Sequence, residues 1–219
     1  MARTAYRGRM SDGIPPTTRQ KVHGLLAGAF GAGLLVLLLV CLMWAVEVVD
    51  YVGDGYLDDY GIHAHQLDSL PGIFAAPFLH SGFPHLMANS LPLLILGFLA
   101  AVRGIGKFLG ASLIIIVVSG LGVWVVSAPG TLTVGASGLV FGYFGYVVAR
   151  GLFDFRLLDI VLGVIVAGLY WSILLGAVPG EEGISWQGHL FGLIGGVLAA
   201  WVLRRRKSAV TRVSPATIE

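Results

Sequence analysis

The chain has 219 residues, of which 56% are hydrophobic and 12% charged, with a formal net charge of +2 and a mean hydropathy of +0.85. A soluble domain needs about 25% charged residues to wet its surface, so this composition excludes a water-soluble globule, a disordered chain and a nucleic-acid binder. What remains is an all-α, polytopic membrane protein, in which the 32 glycines let helix backbones approach closely and the single Cys41 has no partner for an internal disulfide.

In chain order, a basic tail (residues 1–23) precedes the first apolar stretch, 24–46. That stretch is too long for a signal-peptide core, has no small-residue cleavage site after it, and reads as a retained span. Five more follow at 86–102, 108–127, 132–149, 160–178 and 185–203, each near the roughly 20 residues that cross a bilayer core. A second basic tail (204–219) closes the chain, so the membrane domain is placed at 24–203. Threading six spans alternately puts all 14 Lys and Arg on one side. The other side receives Glu47, Asp50, Asp54, Asp58, Asp59, Asp68, Glu181 and Glu182. By the positive-inside rule both termini are cytoplasmic, in the cell membrane. The long segment 47–80 lies outside and mixes Asp, Gly and aromatic residues, which suits a structure resting in the membrane interface.

Ionisable groups inside a membrane are costly and mark function. His85 and Asn89 start the second span, Ser137 lies in the fourth, and His189 starts the sixth. Spans two, four and six all begin on the outer side, so these four side chains share one depth. Thirteen residues, about 20 Å of helix, separate Ser137 from Arg150, which places Ser137 roughly 10 Å below the outer surface of a core about 30 Å thick. The fourth helix must then follow non-helical chain around 131–136, which survives at membrane depth only inside protein or beside a watery cavity.

The constellation has the parts that acyl transfer needs. Ser137, between Gly135-Ala136 and Gly138, is an accessible hydroxyl, and a serine becomes a nucleophile only when a base takes its proton. His189 is the histidine of the later spans able to do so. His85 and Asn89, spaced i and i+4, share a helix face and with the Ser137 amide are donors for an oxyanion. No carboxylate stands at that depth; Phe141, one turn below Ser137, is placed to stack on the His189 ring instead.

These residues stand in His80-Ser81-Gly82-Phe83-Pro84-His85-Leu86-Met87-Ala88-Asn89, Gly135-Ala136-Ser137-Gly138 and Gly188-His189-Leu190-Phe191-Gly192, with Gly196 following. The sequence resembles the rhomboid family of intramembrane serine proteases, whose His-x4-His-x3-Asn, Gly-x-Ser-Gly and His-x2-Gly-x3-Gly signatures occur in this order, and it looks like a divergent bacterial-type member. The resemblance implies a six-helix rhomboid-like bundle. It implies an endopeptidase in which Ser137 attacks a peptide bond in or near the transmembrane helix of a single-span substrate. Under it His189 is general base and acid, His85, Asn89 and the Ser137 amide form the oxyanion hole, and His80 and Gly135 support them. Two family features are absent: Pro71-Gly72 stand where many members carry Trp-Arg, and Leu99, Ala100 and Ala101 stand where many carry a glutamate.

The competing class is a catalytically weak or inactive scaffold that binds membrane clients on the same fold. A small transporter fits less well, since inverted repeats and midplane charges are not evident. A metal site at His63, His65 and His80 lacks a further ligand at convincing spacing, so no metal or cofactor is expected. Partners are the lipid bilayer and membrane substrates, with the oligomeric state left open. Asp154 and Asp159, beside Arg150 and Arg156, read as a cytoplasmic surface charge cluster.

Overall fold

The computed structural model describes residues 18–180 and 183–205; most of both tails, and Glu181 and Glu182, lie outside them. Helix α1 runs Thr18–Val52, 35 residues, longer at both ends than the expected span. Val48, Val49 and Val52 prolong its apolar surface, and the helix stops where the Gly53 N–H bonds back to Val49 and Asp54 and Gly55 turn left-handed, with φ of 57° and 82°. Glu47 and Asp50 therefore belong to the last turns of α1 and are buried, not to the outer segment as expected.

The outer segment is short turns. Strand β1 (Ile62–His63) and a single helical turn, α2 (Gly72–Ala75), are its ordered pieces. β1 pairs antiparallel with β2 (Leu132–Thr133), Ile62 opposite Thr133 and His63 opposite Leu132. Pro71-Gly72, which replaces the family's Trp-Arg, anchors the segment by close approach: a Cβ on Gly72 would collide with the Gly61 carbonyl. Trp124 Nε1 adds a bond to the Gln66 carbonyl at 2.8 Å.

Helix α3 is Phe83–Ala101, started by Pro84 in its first turn, where a missing N–H costs nothing. α4 is Ile105–Val126 and α5 is Ser137–Asp154. α6 is Leu157–Tyr170 and tightens into a 3-10 segment, Trp171–Ala177. α7 is Trp186–Val202. Among the described residues four helices are long and apolar enough to cross a membrane: α1, α3, α4 and α6 with its 3-10 extension. α5 and α7, at 18 and 17 residues, are shorter. α5 stands in the centre, and residues 138–147 are buried without a break. A helix enclosed by protein need not present apolar surface to lipid, which is why α5 is the less hydrophobic one. The apolar stretch of the fourth span starts at residue 132, but its first residues are the expected non-helical chain: 132–133 are strand and helix begins at Ser137.

α5 and α7 pack backbone to backbone. A Cβ on Gly192 would strike the Gly138 carbonyl oxygen, and one on Gly196 that of Gly142. At the far end of α5 the expected surface charge cluster is instead a buried one. Arg150 is 3% and Asp159 1% exposed; Asp159 pairs with Arg150 at 3.1 Å and with Arg103, which lies 3.7 Å from Asp154. Arg103, from the turn between α3 and α4, supplies the charge that lets Asp159 be buried; Arg156 makes no ion pair among the described residues.

Candidate active site

Ser137 is the first residue of α5, so its N–H is one of the unpaired donors at the positive end of a helix dipole. The chain reaches it through a tied-down turn. The Gly135 N–H bonds the Ala76 carbonyl at 2.8 Å and the Ala136 N–H donates to His80 Nε2 at 3.2 Å. Gly135 has φ of 121°, and a Cβ there would lie 2.6 Å from His85 Cε1; glycine is required both for the backbone angle and for the approach of the imidazole.

His80 is buried, its ring 5.2 Å from that of His85 and edge-on to it. Burial, and to a lesser degree His85, push its pKa down to about 4, so it stays neutral and accepts the Ala136 hydrogen. The His63 ring bonds the Asp59 carbonyl and the His65 ring the Ser127 carbonyl at 2.9 Å. No three-ligand metal group occurs among the described residues.

A cavity of about 820 Å³ is lined by His85 and Asn89 from α3, Ser137 and Phe141 from α5, and His189 from α7. The His189 ring lies flat on Phe141, centroids 4.0 Å apart and planes 11° from parallel. Its Nδ1 donates to the Gly176 carbonyl at 2.8 Å. A carbonyl only accepts, so the hydrogen sits on Nδ1 and Nε2 is left with its lone pair. Among the described residues the Ser137 hydroxyl makes no hydrogen bond; hydroxyl and imidazole share the cavity without being joined. His85 Nδ1 meets Ser81 Oγ at 3.2 Å; with Ser81 donating, Nε2–H is free to donate. Asn89 spends one amide hydrogen on the His85 carbonyl one turn back, at 3.0 Å, and keeps the other.

Sequence reasoning missed three participants. The Gly176 carbonyl is a backbone group from the 3-10 segment and leaves no side-chain signal. Ser81 stands four residues before His85 and was visible as spacing. Asp58, which also lines the cavity, comes from the outer segment, where nothing in the pattern marks it.

Fold and cavity together define a class, a multi-pass helical membrane protein with a polar site enclosed by its helices. Residues 68–206 match the Rhomboid domain, and the chain belongs to the rhomboid family. It is 43% identical over 179 residues to an uncharacterised protein of Mycobacterium tuberculosis, covering 78% of this chain and 75% of the relative. An uncharacterised protein of Mycobacterium leprae is 39% identical over 179 residues, 78% of this chain and 71% of that one. A Bacillus subtilis protein named as a candidate rhomboid protease is 30% identical over 136 residues, covering 59% and 65%.

Proposed function

We propose that the chain is an intramembrane serine endopeptidase that cuts single-span membrane proteins near the outer face of the cell membrane. In this reading it crosses the bilayer six times with both termini cytoplasmic, as the segregation of its Lys and Arg supports. The observation that carries the proposal is the convergence of Ser137, His189, His85 and Asn89 on one cavity.

His189 Nε2 takes the Ser137 proton as Oγ attacks the scissile carbonyl. The Gly176 carbonyl and the Phe141 ring hold the imidazole in the tautomer and plane that this requires, replacing the carboxylate of a triad. The Ser137 amide at the helix N-terminus, His85 Nε2–H and the free Asn89 hydrogen receive the oxyanion. His189 then returns the proton to the leaving amine, and water repeats the sequence on the acyl-enzyme. A scissile bond inside a helix must first unwind, so substrates are expected to carry helix-weakening residues there.

The test is purified protein in detergent with a transmembrane reporter and a serine-directed fluorophosphonate. Cleavage and labelling are both expected, and both are expected to vanish in Ser137→Ala and His189→Ala. Cleavage that survives the serine change refutes the assignment. A fluorophosphonate-silent protein that binds the reporter intact establishes the scaffold reading instead.

A further inference from the structure

Carboxylates stand at the mouth of the cavity, and among the described residues no cation pairs with them. Asp58 lines the cavity, and its Oδ1 is buried without a hydrogen-bond partner. Behind it Glu47 is 3% exposed, its Oε2 likewise unpartnered, and the charges it faces are those of Asp58 and Asp50. Asp50 is 5% exposed and accepts the Leu57 N–H at 2.6 Å. No Lys or Arg occurs between Glu47 and Val102. Among the described residues every ion pair is at the other end of the molecule, between Arg103 or Arg150 and Asp154 or Asp159.

Buried carboxylates are ordinarily paired; Glu47 and Asp50 are buried without a cation, and half-buried Asp58, the one of the three that lines the cavity, is where a cation from outside can reach them. The described residues do not converge as a chelating set, as a bare ion requires. An ammonium or guanidinium on a long side chain needs one accessible acceptor in a negative field, which Asp58 supplies. We infer that Asp58, with Glu47 and Asp50 behind it, is an acidic wall that selects substrates bearing a Lys or Arg beside the scissile bond. The inference rests on the protease reading and adds to it the chemistry of the preferred substrate.

The experiment uses the full chain in detergent with reporters carrying Lys, Gln or Glu walked through the positions flanking the cleaved bond. At one or two positions the wild type is expected to cleave the Lys reporter with kcat/KM about tenfold above the Glu reporter, in line with a hydrogen bond to a charged partner. In Asp58→Asn this ratio is expected to fall to near one, and in Asp58→Lys to invert, with thermal melts reporting that both variants fold. A wild-type ratio near one at every position, or a preference untouched in both variants, overturns the wall. A parallel arm measures binding of the labelled Lys and Glu reporters to the Ser137→Ala protein. Charge-selective binding there without cleavage by the wild type upholds the wall and refutes the protease. Cleavage with charge-blind binding and rates does the reverse.

Discussion

The close seam between α5 and α7 makes Gly145→Ala a decisive perturbation. Gly145 lies two turns past Ser137, and a Cβ there would sit 2.7 Å from the Leu193 carbonyl oxygen and 3.1 Å from Leu193 Cδ1, where ordinary contact begins at 3.4 Å. The first of these atoms is backbone, so α7 must retreat by about 0.7 Å, one turn beyond His189. Overpacking of this kind costs about 1–3 kcal/mol, offset by up to ~1 kcal/mol of helix propensity gained on replacing glycine. Gly168→Ala in α6, where nothing lies within 4 Å, gains the same propensity without the clash and is the control. The expected result is a melting temperature in detergent lower for Gly145→Ala than for Gly168→Ala. Reporter cleavage is expected to fall roughly tenfold in Gly145→Ala alone, since displacements near 1 Å cost about a hundredfold. Equal melting and equal turnover of the two variants would refute the claim that this seam positions serine and imidazole.

Phe141→Ala removes the flat stack on His189, worth about 0.5–1.5 kcal/mol, and is expected to lower kcat severalfold with little change in KM, Phe141→Tyr restoring it. Asp159→Asn leaves Arg103 and Arg150 without their shared partner and is expected to destabilise the protein by about 3–5 kcal/mol, read as a loss of melting temperature. Asp58 has its pKa raised from 3.8 to about 6 by burial first, then by Asp50 and Asp59. Its protonated form is therefore the one folding favours; that contribution is complete below 3.8 and is lost as pH rises through 6. Asp58→Asn is thus expected to melt higher than wild type at pH 7 and level with it at pH 3.5; a gap of the same size at both values contradicts this assignment.

Some of this was legible in the sequence and some was not, for physical reasons. Threading helices alternately put the starts of spans two, four and six at one depth, and His85, Asn89, Ser137 and His189 do line one cavity. The non-helical stretch before Ser137 followed from counting residues back from Arg150. The buried Arg150–Asp159 pair was misread because Arg103, its second cation, stands 56 residues before Asp159 and only folding brings it near. Glu47 and Asp50 were assigned to a loop because acidic residues ordinarily end a span; here α1 runs on past Val46 to Val52 and carries both. The bond from His189 to Gly176 was beyond any reading of side chains, since the acceptor is a peptide carbonyl that every residue possesses.

The two-residue pairing of β1 with β2 couples distant parts of the molecule. Leu132 and Thr133, held to His63 and Ile62, stand only five and four residues ahead of Ser137, with the intervening turn pinned to Ala76 and His80. The segment that carries β1 and the turn before Ser137 are therefore tied together through their backbones. A ligand that grips the β1 segment therefore pulls on the stretch of chain that leads into Ser137.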